Sequence, residues 1–180
     1  MAASTLVWID LEMTGISFVH DHILEIACVI TDTELKPLDE PVSYVIKQPA
    51  SRLEKMDEWC TKHHGQSGLI EASLNSTITE KHAEEQILEL IKKHCKPQKA
   101  PLCGNSVWID RLFLKTHMPE LENYLYYRVI DVSSIKLLAR SWCGIKSSEI
   151  KKKKAHRALD DIHESIAELA YYRQTIFKQV

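Results

Sequence analysis

The sequence has no basic excess. Its 23 Lys and Arg are set against 25 Asp and Glu, for a formal net charge of −2 and a pI near 6.5. A protein that grips long nucleic acid usually carries a clear surplus of cations. Any nucleic-acid substrate should therefore be short or held locally. No apolar run approaches the ~20 residues that a membrane-spanning helix needs, so no membrane partner is expected. Cysteine is sparse and unpatterned. Cys28, Cys60, Cys95, Cys103 and Cys143 are odd in number and form no CxxC. Such usage argues against a disulfide framework and for reduced thiols in a cytosol-like compartment. Cys60 with His63 and His64 lacks a matching ligand pair, so zinc is not expected there. Met1 to Ser4 runs straight into the first apolar stretch without a signal-peptide pattern. The expectation is a cytoplasmic location, bacterial in the first instance, with a trimmed mitochondrial form as the alternative.

What is present suits one domain. The 180 residues, 44% hydrophobic and 27% charged, suffice for a single core over 1–180, with no internal repeat and no linker. Leu6 to Gly15 reads as an apolar strand. His22 to Thr31 is apolar on both alternating sets and predicts a strand covered on both faces. Val42, Tyr44 and Ile46 alternate with polar residues as a third strand, and the short connections favour antiparallel pairing. A short helix is predicted over Arg52 to Cys60, ended by the His63-His64-Gly65 stretch. A second is predicted to open on a capping box at Thr77 to Glu80. Strand Ala100–Gly104, helix Asn105–His117, strand Arg128–Asp131, helix Val132–Trp142 and a last helix from about Ala158 follow. Ile135, Leu138, Ala139 and Trp142 are expected to face inward. A meander followed by strand–helix–strand units predicts an α/β mixed sheet with helices on its faces.

The chemistry starts in the first strand. Asp10 and Glu12 are spaced by one residue, so their carboxylates project to one side of the strand. Paired acids at a buried strand end repel and lose hydration, which a divalent cation would offset. A strand simply ending in a polar loop is the other reading. Asp110 lies one turn into a helix behind Gly104-Asn105-Ser106. Asp161 lies near the start of the last helix, five residues after His156. Strand ends and adjacent helix starts line one crevice in an α/β sheet, so the four acids can meet. Taken singly, Asp110 reads as an exposed helical carboxylate, Asp161 and Asp160 as dipole-favoured acids, and His156 as a loop histidine.

Taken together and in order, these residues resemble the DEDDh exonucleases on the RNase H-like fold. Asp10-Leu-Glu12, Asn105 to Asp110 and His156-Arg-Ala-Leu-Asp-Asp161 are similar to the three motifs. Within that branch the chain is similar over nearly its whole length to the oligoribonuclease family. The blocks that carry this are Trp8 to Gly15, Met56-Asp-Glu-Trp59, Gly104-Asn-Ser-Val107, Asp131-Val-Ser-Ser134 and His156 to Tyr172. The resemblance implies an RNase H-like mixed five-stranded sheet, three strands antiparallel and two parallel, flanked by helices. It implies a 3′→5′ exoribonuclease that converts dinucleotides and short oligoribonucleotides to 5′-mononucleotides. Two divalent ions, Mg²⁺ or Mn²⁺, ~3.5–4 Å apart would be held by Asp10, Glu12, Asp110 and Asp161, with Asp10 bridging.

The same resemblance assigns the remaining roles. His156 and Tyr127 are the candidate catalytic residues, His156 as the base that takes a proton from the attacking water. The family spacing selects Asp161 over Asp160. Ile16 stands where the family has a leucine that wedges between bases. Trp59 stacks on a base, with a core tryptophan as the alternative. His64 and Ser106 contact the substrate backbone. Tyr127, Arg128 and Ser133 cap the 5′ phosphate, Tyr127 and Arg128 reaching from a second protomer, which implies a homodimer. The tyrosines at 124, 126, 127, 171 and 172 could equally be core residues. Lys151 to Lys154 read as a solvated loop. A DNA-trimming exonuclease with an open groove and an inactive binding module are the competing readings.

Overall fold

The computed structural model describes residues 4–145 and 157–177. Five strands form one sheet in the order β3-β2-β1-β4-β5. They are β1 (Thr5–Met13), β2 (Ile23–Asp32), β3 (Val42–Val45), β4 (Pro101–Gly104) and β5 (Tyr126–Asp131). The β1/β2 and β2/β3 pairs are antiparallel, and β4 is parallel to both β1 and β5. This is the mixed sheet expected from the sequence. Eight helices are described: α1 (Ala50–Leu53), α2 (Glu58–Gln66), α3 (Leu69–Asn75), α4 (Glu80–His94), α5 (Trp108–His117), α6 (Pro119–Tyr124), α7 (Val132–Cys143) and α8 (Ala158–Thr175). None is long and apolar enough to cross a membrane.

Alternation along β1 sorts the molecule into two layers. Val7, Ile9 and Leu11 pack with Ile87, Phe113 and Leu121 of α4, α5 and α6. Leu6 and Trp8 face the other way, onto Ala139, Ile162 and Tyr172 of α7 and α8. Asp10 and Glu12 share the parity of Trp8, so they face the α8 layer. A smaller cluster of Leu24, Leu53, Met56, Cys60 and Leu69 seats α1 to α3. All five cysteines are unpaired.

Local chemistry moves several boundaries. The helix expected over residues 52–60 is two helices, because the Asp57 side chain accepts from Cys60 N at 2.7 Å and caps a new start. His63 to Gly65 consequently lie inside α2, and Gly68 (φ +73°) marks the turn. α4 is capped by Thr79, not Thr77, since Ile78 is held extended by a parallel bridge to Ile46. α5 starts at Trp108, because Ser106 is left-handed (φ +53°) with its N–H donated to Asp131 and Ser133. Leu138 and Trp142 do not face inward. Both are exposed, Trp142 by 77%. α3 and α6, of 7 and 6 residues, are too short to show a period and were not expected.

Candidate active site

Asp10, Glu12 and Asp161 converge at the end of β1 where α8 begins. Each offers a carboxylate oxygen, and the three lie within 4.8 Å of one another. Asp161 sits in the first turn of α8, directly above the strand face that carries the pair. Asp160, its neighbour, is exposed. Asp110 stands beside this group rather than within it. It is buried, and its Oδ1 accepts from Leu11 N at 3.0 Å.

Burial and mutual repulsion set the electrostatics of these acids. Burial pushes the Asp10 carboxyl well above its ordinary range, and Asp110, Asp161, Glu12 and Glu25 add to it. Burial raises Glu12 to about 8, with Asp161 the next contributor and Arg157 opposing. Burial raises Asp110 to about 7, against the hydrogen bond from Leu11. Three converging carboxylates with a fourth alongside suit a hard divalent ion, whose charge would reverse these shifts. The donor set is all oxygen, which fits Mg²⁺ or Mn²⁺ better than a softer metal.

Without a dication, folded Glu12 and Asp110 keep protons that the unfolded chain gives up. Raised folded pKa values lend stability below the unfolded values, and that stability is lost as pH rises to about 7 and about 8. At 1.36 kcal/mol per unit the loss amounts to several kcal/mol, on the order of 4 or more. In chelator, the melting temperature should fall from about pH 5 to about pH 8.5, and Mg²⁺ or Mn²⁺ should restore it. A flat profile in chelator would contradict the arrangement.

One pair was not anticipated. Glu25 stands opposite Glu12 in the β1/β2 register, buried. Arg157 reaches it through two bonds, Nε to Oε2 at 2.9 Å and Nη2 to Oε1 at 2.8 Å. Ser43 Oγ and Ala158 N also donate to it, at 2.8 and 3.3 Å. The pair fastens the start of α8, and with it Asp161, to β2. A lone Glu in the otherwise apolar run of β2 was the available signal, since a buried charge demands a partner. His156, the expected base, lies outside the described residues, as do Lys151 to Lys154. Arg157 is the residue after it.

The other expected residues divide by surroundings. Ile16 is 82% exposed on the loop after β1. That loop is fastened by Asp21, which accepts from Thr14 Oγ1 and from Ser17 N, each at 2.9 Å. A Cβ at Gly15 would come within 2.5 Å of Asp21, so the close approach needs glycine there. Trp59 is 56% exposed, so it is not a core tryptophan, and its ring stacks on His63 at 3.9 Å. His64 is buried, with Nε2 2.8 Å from the Met13 carbonyl and Nδ1 3.8 Å from Glu12. That places it beside Glu12.

Ser106 and Ser133 meet, oxygen to oxygen at 3.2 Å, and Ser133 donates to Asn105 Oδ1 at 3.0 Å. Asn105 then donates to Ser165 Oγ at 2.8 Å, and Ser165 donates to the Asp161 carbonyl at 2.8 Å. A hydrogen-bonded chain thus joins both serines to the helix of Asp161. Tyr127 and Arg128 are exposed on β5, with Arg128 Nε donating to Tyr127 Oη at 2.8 Å. Of the tyrosines, Tyr172 is a core residue, donating to Glu168 at 2.8 Å.

Three comparisons bear on this arrangement. A model of the RNase_T exonuclease family matches residues 7–169. The oligoribonuclease of Hydrogenovibrio crunogenus is 51% identical over 174 residues, covering 97% of this chain and 95% of that protein. The mitochondrial oligoribonuclease of Homo sapiens is 48% identical over 178 residues, covering 98% and 75%. Among solved structures, exonuclease I from Methylocaldum szegediense shares the fold at a TM-score of 0.73 and 18% identity. That match covers 96% of this chain and only 41% of exonuclease I.

Proposed function

The chain belongs to the oligoribonucleases of the RNase_T exonuclease family, and from that premise we propose that it hydrolyses dinucleotides and short oligoribonucleotides from the 3′ end. The convergence of Asp10, Glu12 and Asp161, with Asp110 alongside, carries this reading. Two bound Mg²⁺ or Mn²⁺ ions would supply an activated water and neutralise the leaving oxygen. Asp10, Glu12, Asp110 and Asp161 are the residues to hold them. Hydrolysis joins water oxygen to phosphorus, breaks the bond to the 3′ oxygen, and releases a 5′-mononucleotide. His156 takes the water's proton, and the departing 3′ oxygen takes one up from solvent to leave as a hydroxyl.

The remaining chain groups bind. Ile16 offers exposed apolar bulk on the loop after β1, and Trp59 offers a part-exposed aromatic ring to a base. Ser106 and Ser133 present polar atoms together at the helix starts, suited to phosphate or sugar. Tyr127 and Arg128 act across a homodimer. The edge strand β5 and the helix after it leave Tyr127, Val129, Leu137 and Trp142 exposed, the kind of surface a second copy covers. Tyr127 with Arg128 at a neighbouring cleft would hold the 5′ phosphate and stop longer chains. A cytoplasmic location and a mitochondrial one are both compatible, the latter because a human relative is named for that organelle.

Incubation of a 5′-phosphorylated RNA dinucleotide with Mg²⁺ tests the reading, with 5′-mononucleotides as the expected product. Metal-dependent binding without product would favour an inactive binding module instead. A second prediction concerns the base face. Trp59→Ala should raise KM about 5- to 150-fold, the ~1–3 kcal/mol of one stacked base, while Trp59→Phe keeps most of the affinity. An unchanged KM in Trp59→Ala would remove Trp59 from the binding face.

A further inference from the structure

On the sheet face away from Asp10 and Glu12, three side chains that the proposed reaction does not use come together. His22 precedes β2, Glu80 opens α4 and His117 closes α5. Each offers one ligand atom, and the three lie within 4.8 Å of one another. The ring of His117 stacks on Phe113, a core residue of the layer opposite α8, with centroids 5.8 Å apart. His22 meets His117 edge-on, also at 5.8 Å.

The groups are held for one another. Glu80 Oε1 accepts from Gln48 Nε2 at 3.2 Å, which leaves Oε2 turned to His117 Nδ1 at 3.5 Å. Gln48 is itself fixed, donating to the Ile23 carbonyl at 2.9 Å and accepting from Arg52 at 2.8 Å. His117 Nε2 is buried and has no hydrogen-bond partner among the described residues. A plain Glu80–His117 ion pair accounts for one imidazole nitrogen. It leaves the other unsatisfied, a cost of about 1–3 kcal/mol, and does not account for His22.

We propose that His22, Glu80 and His117 form a second metal site, separate from the carboxylate centre, for one borderline divalent ion of the zinc class, with water completing the coordination. Two imidazoles and a carboxylate are a donor set that such ions favour over Mg²⁺. Zinc–nitrogen bonds of about 2.0–2.1 Å set tetrahedral ligand atoms roughly 3.3 Å apart. From separations of up to 4.8 Å the three groups must close by up to about 1.5 Å, a matter of side-chain rotations.

The site also has something to hold. The His22 backbone is paired with Thr14, its N–H donating to Thr14 Oγ1 at 3.0 Å and its carbonyl accepting from Thr14 N at 2.9 Å. His22 therefore closes the base of the loop that carries Ile16. A metal joining His22 to α4 and α5 locks that base to the helix that also carries Asp110.

Co²⁺ titration of the metal-free protein tests the proposal, because four-coordinate Co²⁺ with nitrogen ligands absorbs visible light far more strongly than six-coordinate Co²⁺ among oxygens. The background is Cys143→Ser, since Cys143 is an exposed thiol. One strongly absorbing Co²⁺ is expected per chain, displaced by Zn²⁺ and not by excess Mg²⁺. His22→Gln and His117→Phe should each abolish the band, the second keeping an aromatic ring against Phe113, while Asp161→Asn retains it. With saturating Mg²⁺ present to fill the carboxylate centre, Zn²⁺ should raise the melting temperature of the parent more than that of His22→Gln. A parent protein without the band would overturn the proposal. So would a band that survives both histidine substitutions or vanishes in Asp161→Asn. These readouts are independent of nuclease activity, so their failure leaves the exonuclease reading standing.

Discussion

Asp161→Asn should lower kcat/KM on a 5′-phosphorylated RNA dinucleotide by a factor on the order of 10³ or more, whereas Asp160→Asn should stay within about tenfold. Both residues lie in the first turn of α8, where either would favour the positive end of the helix. Sequence proximity cannot separate them, but side-chain direction does. Asp161 projects to within 4.8 Å of the Asp10 and Glu12 oxygens, and Asp160 faces solvent. On the proposed reading, removing the Asp161 charge would deprive a dication of a direct ligand and loosen the placement of water and phosphorus together. That loss of several kcal/mol in transition-state stabilisation corresponds to the stated factor. Removing Asp160 costs a screened surface charge. Steady-state kinetics over a metal titration check both. Equal losses in the two variants would mean that Asp161 is not a ligand.

The second large effect is on stability. Arg157→Ala should cost about 3–5 kcal/mol at pH 7, the range for breaking a buried ion pair by removing one partner. Arg157 is part-exposed and survives loss of its partner by turning to water. Glu25 cannot, since its side chain is 2% exposed and Glu12 lies opposite. Burial alone would raise the Glu25 pKa. The bonds from Arg157 and Ser43 outweigh that and hold it below the ordinary value. A depressed folded pKa contributes stability above the unfolded value of 4.5 that is lost as pH falls through the folded one. Without Arg157 the direction reverses, so Glu25 gains a proton and the deficit shrinks towards pH 5. Urea unfolding at about pH 7.5 and about pH 5 would read this, with the larger loss at the higher pH. The double variant Glu25→Gln/Arg157→Ala should recover part of the stability, because no buried charge remains. Equal losses at both pH values would assign Arg157 a packing role alone.

The sheet was legible because its signal is periodic. The two apolar sets of β2 and the alternation in β1 each imply burial, and the meander followed by strand–helix–strand units implies the strand directions. Asp10 and Glu12 were legible for the same reason, as two acids of one parity. What the sequence did not carry was local bonding that overrides a longer pattern. Asp57 starts a helix in mid-run, the Ile46–Ile78 bridge delays α4, and Ser106 turns left-handed before α5. Leu138 and Trp142 follow the inward stripe of α7 by spacing, yet are exposed, as a helix beside an open edge strand allows. Glu25 was readable as an anomaly, but its partner, 132 residues away, was not. His22, Glu80 and His117 share no motif spacing at all. Only the packing of α4 and α5 against one sheet face brings them together.

The proposed site uses a carboxylate-held dication on RNA too short to need a basic track. It is tested most directly by kcat/KM for 5′-phosphorylated RNAs of two, five and twenty nucleotides with saturating Mg²⁺, each repeated in chelator. The account predicts that the dinucleotide is hydrolysed at least about tenfold more efficiently than the longest chain, a difference of ~1.4 kcal/mol or more in transition-state stabilisation, and that chelator abolishes all three. Equal efficiency at every length would contradict it, and so would product formed in chelator.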